Sequence, residues 1–569
     1  MKKLTLLKAA FMVCVFCAAT ATLSLAQDNF TTLVNFVGGN GNDPSMVLTQ
    51  GADGIFYGTT YFGGYYCDGG CGVFFRMYAA GTMNVLYSFC GQTNCPDGEG
   101  PVGSLLQVAN GDFYGVTIDG GNSEFCHAGA CGTIFKVSPA GSLTTLYRFC
   151  TLENCADGQW PDGGLLQGRN GNFYGTTATG GANGGGTVFE MTPAGTLTTL
   201  YSFCSLPNCA DGDNPTGALV QGTNGNLYGE TISGGADGDG AIFEITPGGK
   251  LTTLYSFGGG GGVEPSGGLI QGSDGSFYGV TPMGGLNCRL APYCGAAFKI
   301  TPGGLFTTLY DFCSAPNCTD GASPAGPLVE GTDGNFYGAT NEGGANGGGT
   351  IFEMTSAGAL TTLYNFCSLV DCADGAFPTA GLLQATSGIF YGTTPNGGTG
   401  NDGTIFSLST GLGPFVKTQP TSANEGTTIG IFGQGFKTSS VVQFGGVQGA
   451  VVKVSRTLLE AKVPAGALTG SVTVTTGSTT LTSNREFRVT PQLLSFNPPN
   501  GPVGTQITIN GVGFTQTTGV VFGDRVPAPF TVNSDTQIIA TVPIGAKTGQ
   551  IGVETKGGIA LSSGRFTVN

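Results

Sequence analysis

The stretch "GGLLQGRNGNFYGTTATGGANGGGTVFEMTPAGTLTTLYSFC" (163–204) divides into four short β-type runs, and that division decides the fold. "GLLQ" is a first strand, A. "RNG" turns into strand B, "NFYGTT". An Asn-Gly pair supplies the positive φ that both positions of a tight hairpin need. Strand C is "GTVFEMT", and "PAG" turns into strand D, "TLTTLYSF". Thr, Val, Phe and Tyr in short period-two alternation favour strands over helices. No helix is read in the mature chain.

The same frame recurs seven times. Its marker is Phe/Leu-Tyr-Gly, with the tyrosine at Tyr57, Tyr114, Tyr174, Tyr228, Tyr278, Tyr337 and Tyr391, 50–60 residues apart. Seven four-stranded units of this length predict an all-β, seven-bladed β-propeller. An open β-solenoid is the plainer rival, but its coils are usually shorter and nothing fixes their number at seven. The chain ends favour a ring. "TTLVNF" (31–36) matches the D strand "TTLYSF", yet it precedes any A strand. The last repeat stops on a C strand, "GTIFSLS" (403–409). The N-terminal strand is therefore expected to close the last blade.

Composition agrees with a turn-rich β protein. Glycine is 104 of 569 residues, far above the usual share of about 7%. No Gly-X-Y period is present, so the glycines serve turns rather than a collagen helix. With 40% hydrophobic and only 10% charged residues the chain is not a highly charged disordered one. A net charge of −15 repels phosphate backbones, which argues against a nucleic-acid partner.

The N-terminus combines Lys2, Lys3 and Lys8 with an apolar run and a small-residue Ser24-Leu25-Ala26 ending. Residues 1–26 read as a secretory signal peptide. No other stretch reaches the roughly 18 apolar residues of a membrane span, so the mature chain is expected to be exported and extracellular or surface-associated.

In a meandering blade the A–B and C–D turns fall on one face and the B–C and D–A connections on the other. The first set is tight; the second is long and varied. Function tends to sit on long loops held by a rigid scaffold, which points to the B–C/D–A face. The mature cysteines fall on that face. Five pairs are in D–A connections: Cys90/Cys95, Cys150/Cys155, Cys204/Cys209, Cys313/Cys318 and Cys367/Cys372. Three are in B–C connections: Cys67/Cys71, Cys126/Cys131 and Cys288/Cys294. A loop that lacks one cysteine lacks both, which predicts eight short disulfides formed in an oxidising compartment. Zinc is the sharper alternative, but His127 is the only histidine and zinc usually wants cysteine with histidine.

Other candidates are weaker. Gly-rich "GGANGGGT" loops lack the Gly-Lys-Ser/Thr ending of a phosphate cradle. Asp97, Asp157, Asp211, Asp320 and Asp374 each precede a glycine, and a proline stands four residues after each aspartate. They read as turn formers, with calcium the one ion such carboxylates would take. No cofactor is otherwise called for. Strand A ends on Gln50, Gln107, Gln167, Gln221, Gln271, Glu330 and Gln384. These could line a channel, but holding neighbouring blades in register is the preferred role. His127 and the lone Trp160 are weak binding-face candidates on adjacent connections. No catalytic constellation is visible, and no repeat shows a distinctive acidic pair. An aromatic platform for sugars is also missing from a face so poor in tryptophan.

After about residue 410 the pattern changes. "EGTTIGIFGQGF" (425–436) matches "VGTQITINGVGF" (503–514), and "KVPAGALTGSVTV" (462–474) matches "TVPIGAKTGQIGV" (541–553). Two copies of an immunoglobulin-like β-sandwich follow from this. "SFNPPNGPVGTQITINGVGF", "VVFGDRVPA" and "SDTQIIATVPIGAKTG" resemble an IPT/TIG domain, and residues 414–488 resemble a more divergent copy. "DGNFYGATNEGGANGGGTIFEMTSAGALTTLYNF" (333–366) resembles the bacterial choice-of-anchor tandem repeat GloVer proteins. That resemblance implies an exported, surface-associated repeat protein with no known activity.

The expected organisation is a signal peptide (1–26), a propeller (27–410) and two sandwiches (411–489 and 490–569). The expected function is non-enzymatic binding or adhesion to an extracellular protein or glycan. A polysaccharide-active lyase or hydrolase on the propeller is the alternative.

Overall fold

The structure, a computed structural model, describes residues 29–66, 70–123, 126, 131–258, 261–286 and 293–569. The expected signal peptide lies outside these residues. Apart from two short hairpin turns, residues up to Leu412 form one compact unit and Gly413–Asn569 another.

Among the described residues the repeats form seven four-stranded antiparallel sheets. In the third repeat Leu166–Gln167, Phe173–Thr177, Thr187–Met191 and Leu197–Ser202 lie in that order, as A, B, C and D. The seventh sheet takes its outer strand from the N-terminus: Phe30–Asn35 pairs antiparallel with Thr404–Leu408. The A strands depart from expectation. They span two residues in odd-numbered repeats but nine in the second, fourth and sixth, as in Asp213–Gln221. The long form carries a register shift, between Thr216 and Val220 in the fourth repeat. Gly217, at φ +68°, provides the turn in the backbone there.

The Phe-Tyr-Gly marker has a packing cause. The glycine cannot be larger, because a Cβ on Gly175 would lie 2.5 Å from the Phe189 ring that crosses it from strand C. The tyrosine and phenylalanine link successive sheets. Tyr57 packs on Phe113 at 4.4 Å between ring centroids, Tyr228 on Phe277 at 4.1 Å and Tyr337 on Phe390 at 4.3 Å. Tyr391 of the seventh sheet packs on Phe56 of the first at 4.2 Å. Each such ring pair adds roughly 0.5–1.5 kcal/mol beyond its area burial. Around them lie clusters that join each sheet to the next, and the cluster of Val34, Phe56 and Tyr391 joins the last to the first.

The second unit contains two β domains with separate apolar cores, one around Phe444 and Phe487 and one around Phe514 and Phe566. Their strands pair alike: Thr428–Phe432 with Leu458–Lys462 in the first, Gln506–Val512 with Gln537–Thr541 in the second. Among the described residues no helix is long and apolar enough to cross a membrane.

Candidate functional site

The long B–C and D–A connections are held by two local devices. One is a cystine. Cys90–Cys95, Cys126–Cys131, Cys150–Cys155, Cys204–Cys209, Cys313–Cys318 and Cys367–Cys372 are bonded as pairs. Cys71 and Cys294 are also disulfide-bonded, and their expected partners Cys67 and Cys288 lie outside the described residues. The other device is the aspartate that follows the clip. Asp211 accepts from the Tyr201 hydroxyl at 2.8 Å, the Ser205 N–H at 3.0 Å and the Ser205 hydroxyl at 2.9 Å. Its second oxygen accepts from the Leu206 N–H at 3.1 Å. Asp157, Asp320 and Asp374 repeat this pattern. These buried carboxylates spend their acceptors on the loop's own donors, which hold the Asp211 carboxyl below its ordinary range although burial opposes them.

The strand-A amides act at the opposite, tight-turn end. Gln107 and Gln271 donate to the carbonyls of their own turns, at Gly111 and Gly275. Gln167 donates to Gly171 in the same way. Gln221, Glu330 and Gln384 reach the preceding repeat instead. Gln221 accepts from the Arg169 N–H at 3.1 Å, Glu330 from the Ser273 hydroxyl at 2.5 Å, and Gln384 donates to the Thr332 hydroxyl at 3.4 Å. Gln50 is half-buried at the matching place in the first repeat.

At the long-loop face each D–A connection ends on a residue with positive φ directly before a proline. These residues are Asp43, Gly100, Trp160, Asn214, Glu264, Ser323 and Phe377. A bulky residue in that conformation, and before proline, is unusual. It is held by its N–H, which donates to the B–C connection of the preceding repeat: Trp160 to the Cys131 carbonyl at 3.2 Å, Phe377 to Gly348 at 2.8 Å, and Asp43 to Asp402 at 3.2 Å. Seven different side chains thus occupy one equivalent position. This also places Trp160 beside the Cys126–Cys131 clip, whose loop carries His127; His127 itself lies outside the described residues.

The first three repeats break the seven-fold pattern in a way the sequence analysis missed. Directly after strand B of the first repeat (Phe56–Thr60) come Tyr61 and Phe62, whose rings are 4.5 Å apart. Phe62, Tyr65, Tyr66 and Trp160 are all exposed. Glu99 and Asp119 stand directly opposite one another across strands A and B of the second repeat. No other repeat has two acids at this pair: the fourth has Asp213 with Ser233 and the sixth Ala322 with Glu342. The expectation of no distinctive acidic pair is therefore wrong. The face is nonetheless not poor in exposed rings, because Phe62, Tyr65 and Tyr66 add to Trp160.

The electrostatics of this sector follow from burial and like charge. Burial first, and then Asp119, Glu99, Asp43 and Asp162, push the Tyr61 phenol up. Burial raises Glu99, and facing Asp119 raises it further. Burial also raises Asp119, while a hydrogen bond from Trp160 opposes that shift. Asp43 is pushed up to about 6 by burial. Among the described residues no lysine or arginine forms an ion pair with any of the four acids. Such a sector can accept hydrogen bonds, hold a cation or exchange protons. The signal that finds it is a column-by-column reading of the repeats, in which Tyr61 stands where others have Ile118, Ala178 and Ile232.

Comparison with known proteins gives families. The Gloeobacter/Verrucomicrobia repeat matches residues 18–219, 68–291 and 270–430. The IPT/TIG domain matches 416–489 and 491–568. No curated protein matches the chain. Among solved structures, a surface glycan-binding protein from Prevotella bryantii is 19% identical over 28% of this chain and 40% of that one, with a TM-score of 0.21. The match thus spans less than half of the Prevotella protein. A fungal alcohol oxidase of the AA5 family, in complex with copper, is 10% identical over 95% and 98%, with a TM-score of 0.41. An aldose sugar dehydrogenase from Streptomyces coelicolor is 14% identical over 67% and 98%, with a TM-score of 0.33. At these scores the likenesses say nothing of activity.

Proposed function

From a chain that belongs to the Gloeobacter/Verrucomicrobia repeat family, we propose an exported, surface-associated binding protein. Its repeats make a closed seven-bladed β-propeller that presents the B–C/D–A face, and its two IPT/TIG domains space or dock that face. Support for closure comes from the pairing of Phe30–Asn35 with Thr404–Leu408 and the seating of Tyr391 on Phe56. Support for export comes from the basic and apolar N-terminal run and from the cystines, which persist in oxidising surroundings.

The observation that carries binding is the sector of the first three repeats. Phe62, Tyr65, Tyr66 and Trp160 are exposed on connections of the same repeats that hold the facing Glu99 and Asp119, and cystines brace neighbouring loops. Apolar faces next to a few fixed polar groups are what a recognition surface needs. The ligand is an extracellular protein or glycan. A glycan and protein array probed with the mature chain tests this: selective binding is expected. Binding that survives Trp160→Ala together with Tyr65→Ala would place the site elsewhere.

A second reading, a polysaccharide lyase or hydrolase, draws on the same Glu99/Asp119 pair, since paired carboxylates can share acid and base roles. Cleavage of any member of a polysaccharide panel, lost in Glu99→Gln, would replace the binding reading with this one.

A further inference from the structure

We infer that one sheet face of the second IPT/TIG domain takes up an acidic polypeptide segment, with an aliphatic side chain in a trough and carboxylates on Arg525 and Arg565. The inference goes beyond the propeller-face reading and does not depend on it.

The face lies on three neighbouring strands, Thr517–Phe522, Gly549–Thr555 and Gly558–Val568. Gly552 sits in the middle strand, opposite Val521 on one side and Leu561 on the other. A Cβ on Gly552 would lie 2.7 Å from a Val521 methyl and 3.3 Å from methyls of Ile559 and Leu561. The glycine is thus the floor of a trough with aliphatic walls. Those walls are not covered, because Ile559 is 38% and Leu561 54% exposed. An exposed apolar patch with a polar rim is a common mark of an interaction site. The trough belongs to an open groove of about 510 Å³ that Arg525 and Arg565 also line. Both arginines stand at one end of the sheet. The Gly523 N–H donates to the Gln550 carbonyl at 3.0 Å, Gln550 pairs with Arg565, and Arg525 ends the hairpin turn that Gly523 begins.

The charge at that end is uncompensated. The Arg525 guanidinium has no hydrogen-bond or ion-pair partner among the described residues. Arg565 donates one N–H to the Thr548 carbonyl at 3.1 Å and has others left over. Asp524, at the rim, is already paired with Lys547 at 2.6 Å. Two guanidinium groups of this kind recognise carboxylates through paired N–H donors.

The first domain is an internal control. Its matching three-strand row is Gln443, Thr473 and Thr482, where the second has Val521, Gly552 and Leu561. Glu486 stands before core Phe487 as Arg565 stands before core Phe566. Its hairpin turns on Gly445 and Gly446, whereas the second is one residue longer and ends on Arg525, at φ +61°. The first copy builds the same sheet with polar side chains, so folding does not demand the apolar and basic ones.

The lining also selects the ligand. No aromatic ring lines the groove, so a sugar lacks its stacking partner, and aliphatic walls cannot satisfy its hydroxyls. An acyl chain would need deeper enclosure than an open groove gives. An extended peptide places every second side chain on one face, so an aliphatic group can enter the trough while its neighbour two along reaches an arginine. The chain's net charge of −15 repels acids at long range, so both contacts are needed.

The mature chain is titrated by fluorescence anisotropy with a labelled octapeptide in which valine and glutamate take turns at every second position, with serine between. Parallel arms replace its glutamates by glutamine, replace its valines by serine, or use a galacturonate oligomer or phosphatidylglycerol vesicles. Saturable binding of the first peptide is expected. Arg525→Gln and Leu561→Thr should each weaken it roughly tenfold, equal to about 1.4 kcal/mol. Both residues are exposed, thermal melts check that the variants fold, and Arg565→Gln provides a third loss should either misfold. Lys453→Gln, on the first domain, leaves the titration unchanged. No saturable binding, equal binding of the glutamine or serine peptide, unchanged binding in the folded variants, or tighter binding of galacturonate or vesicles would overturn the inference. None of these variants should alter what the mature chain captures on the array, so failure here leaves the propeller-face reading standing, and an empty array leaves this inference standing.

Discussion

Replacing Glu230 by glutamine should make the protein more stable at alkaline pH and leave it little changed at pH 5. Glu230 follows the Leu-Tyr-Gly of the fourth repeat, where the other repeats carry Thr59, Val116, Thr176, Val280, Ala339 and Thr393. It is wholly buried. One oxygen accepts from the Gly268 N–H of the next repeat at 2.5 Å; the other has no partner, nor does the hydroxyl of Thr216 directly opposite. Burial pushes its carboxyl from 4.5 up to about 8, and the Gly268 N–H only partly offsets this. The folded chain therefore keeps a proton that the unfolded chain releases above 4.5. Stability contributed by this group is intact below that value, falls as pH rises to about 8, and is level beyond. At about 1.36 kcal/mol per pH unit, the rise from 4.5 to about 8 sets an upper bound of about 5 kcal/mol lost across the window. For a repeat region of roughly 380 residues this is about 6 °C in Tm. Glutamine keeps an acceptor for Gly268, gains a donor for Thr216 and has no charge to bury. Thermal unfolding of wild type and Glu230→Gln is compared at pH 5, 7 and 9. The Tm difference should widen steadily in favour of the variant. A difference that stays constant with pH would refute the reasoning, because it would mean that Glu230 does not change its protonation on folding.

Four further outcomes are expected. Deleting the N-terminal strand through Asn35 should expose the edge of Thr404–Leu408 and lower the Tm of the repeat region with self-association; unchanged melting and a monomeric elution profile would speak against ring closure. Gly175→Ala should lose about 1–3 kcal/mol in urea unfolding, because its methyl meets the Phe189 ring. Removing the Cys204–Cys209 clip as a double serine variant should lose about 2 kcal/mol, since the closed loop is short. Asp211→Ala should lose about 3 kcal/mol or more, because it strands several donors at once; equal or reversed losses would contradict the bonding seen in the loop.

Much of the fold is legible because the repeats are an alignment inside one chain. Phe-Tyr-Gly recurs since glycine makes room for the crossing phenylalanine and tyrosine meets the next sheet, so both constraints return in every copy. The stray strand at 31–36 is legible for the same reason: its pattern matches D strands. The long A strands of the even-numbered repeats were not. They depend on a left-handed glycine and a register shift, and "GALVQ" looks no different from "GLLQG". The sector of the first three repeats was not legible as a site either. Asp43, Tyr61, Glu99, Asp119 and Asp162 are far apart along the chain, and each alone reads as an ordinary loop residue. Only the pairing of strands A and B puts Glu99 against Asp119, and only the step between sheets brings Trp160 to them.

The same scaffold explains why asymmetry can gather in one sector without disturbing the packing between successive sheets. The side-chain contacts between sheets include the tyrosine–phenylalanine pairs and the strand-A ends, which lie away from the long loops. Those loops are fixed instead by their own devices: cystine, aspartate and the N–H that each pre-proline residue gives to the preceding repeat. Backbone groups make that last bond, so it accepts any side chain able to bear a positive φ. The position can thus carry Asp43, Trp160, Glu264 or Phe377 with the same hydrogen bond. Glu230 is the counter-case. It varies at a position buried between two repeats, where the environment is not tolerant, and its one unpartnered oxygen is the result. Variation at the face changes what the protein can meet, whereas variation at the Glu230 site changes how stably the sheets hold together. The two kinds of measurement, ligand titration and pH-dependent melting, should therefore respond to different residues with little crossover.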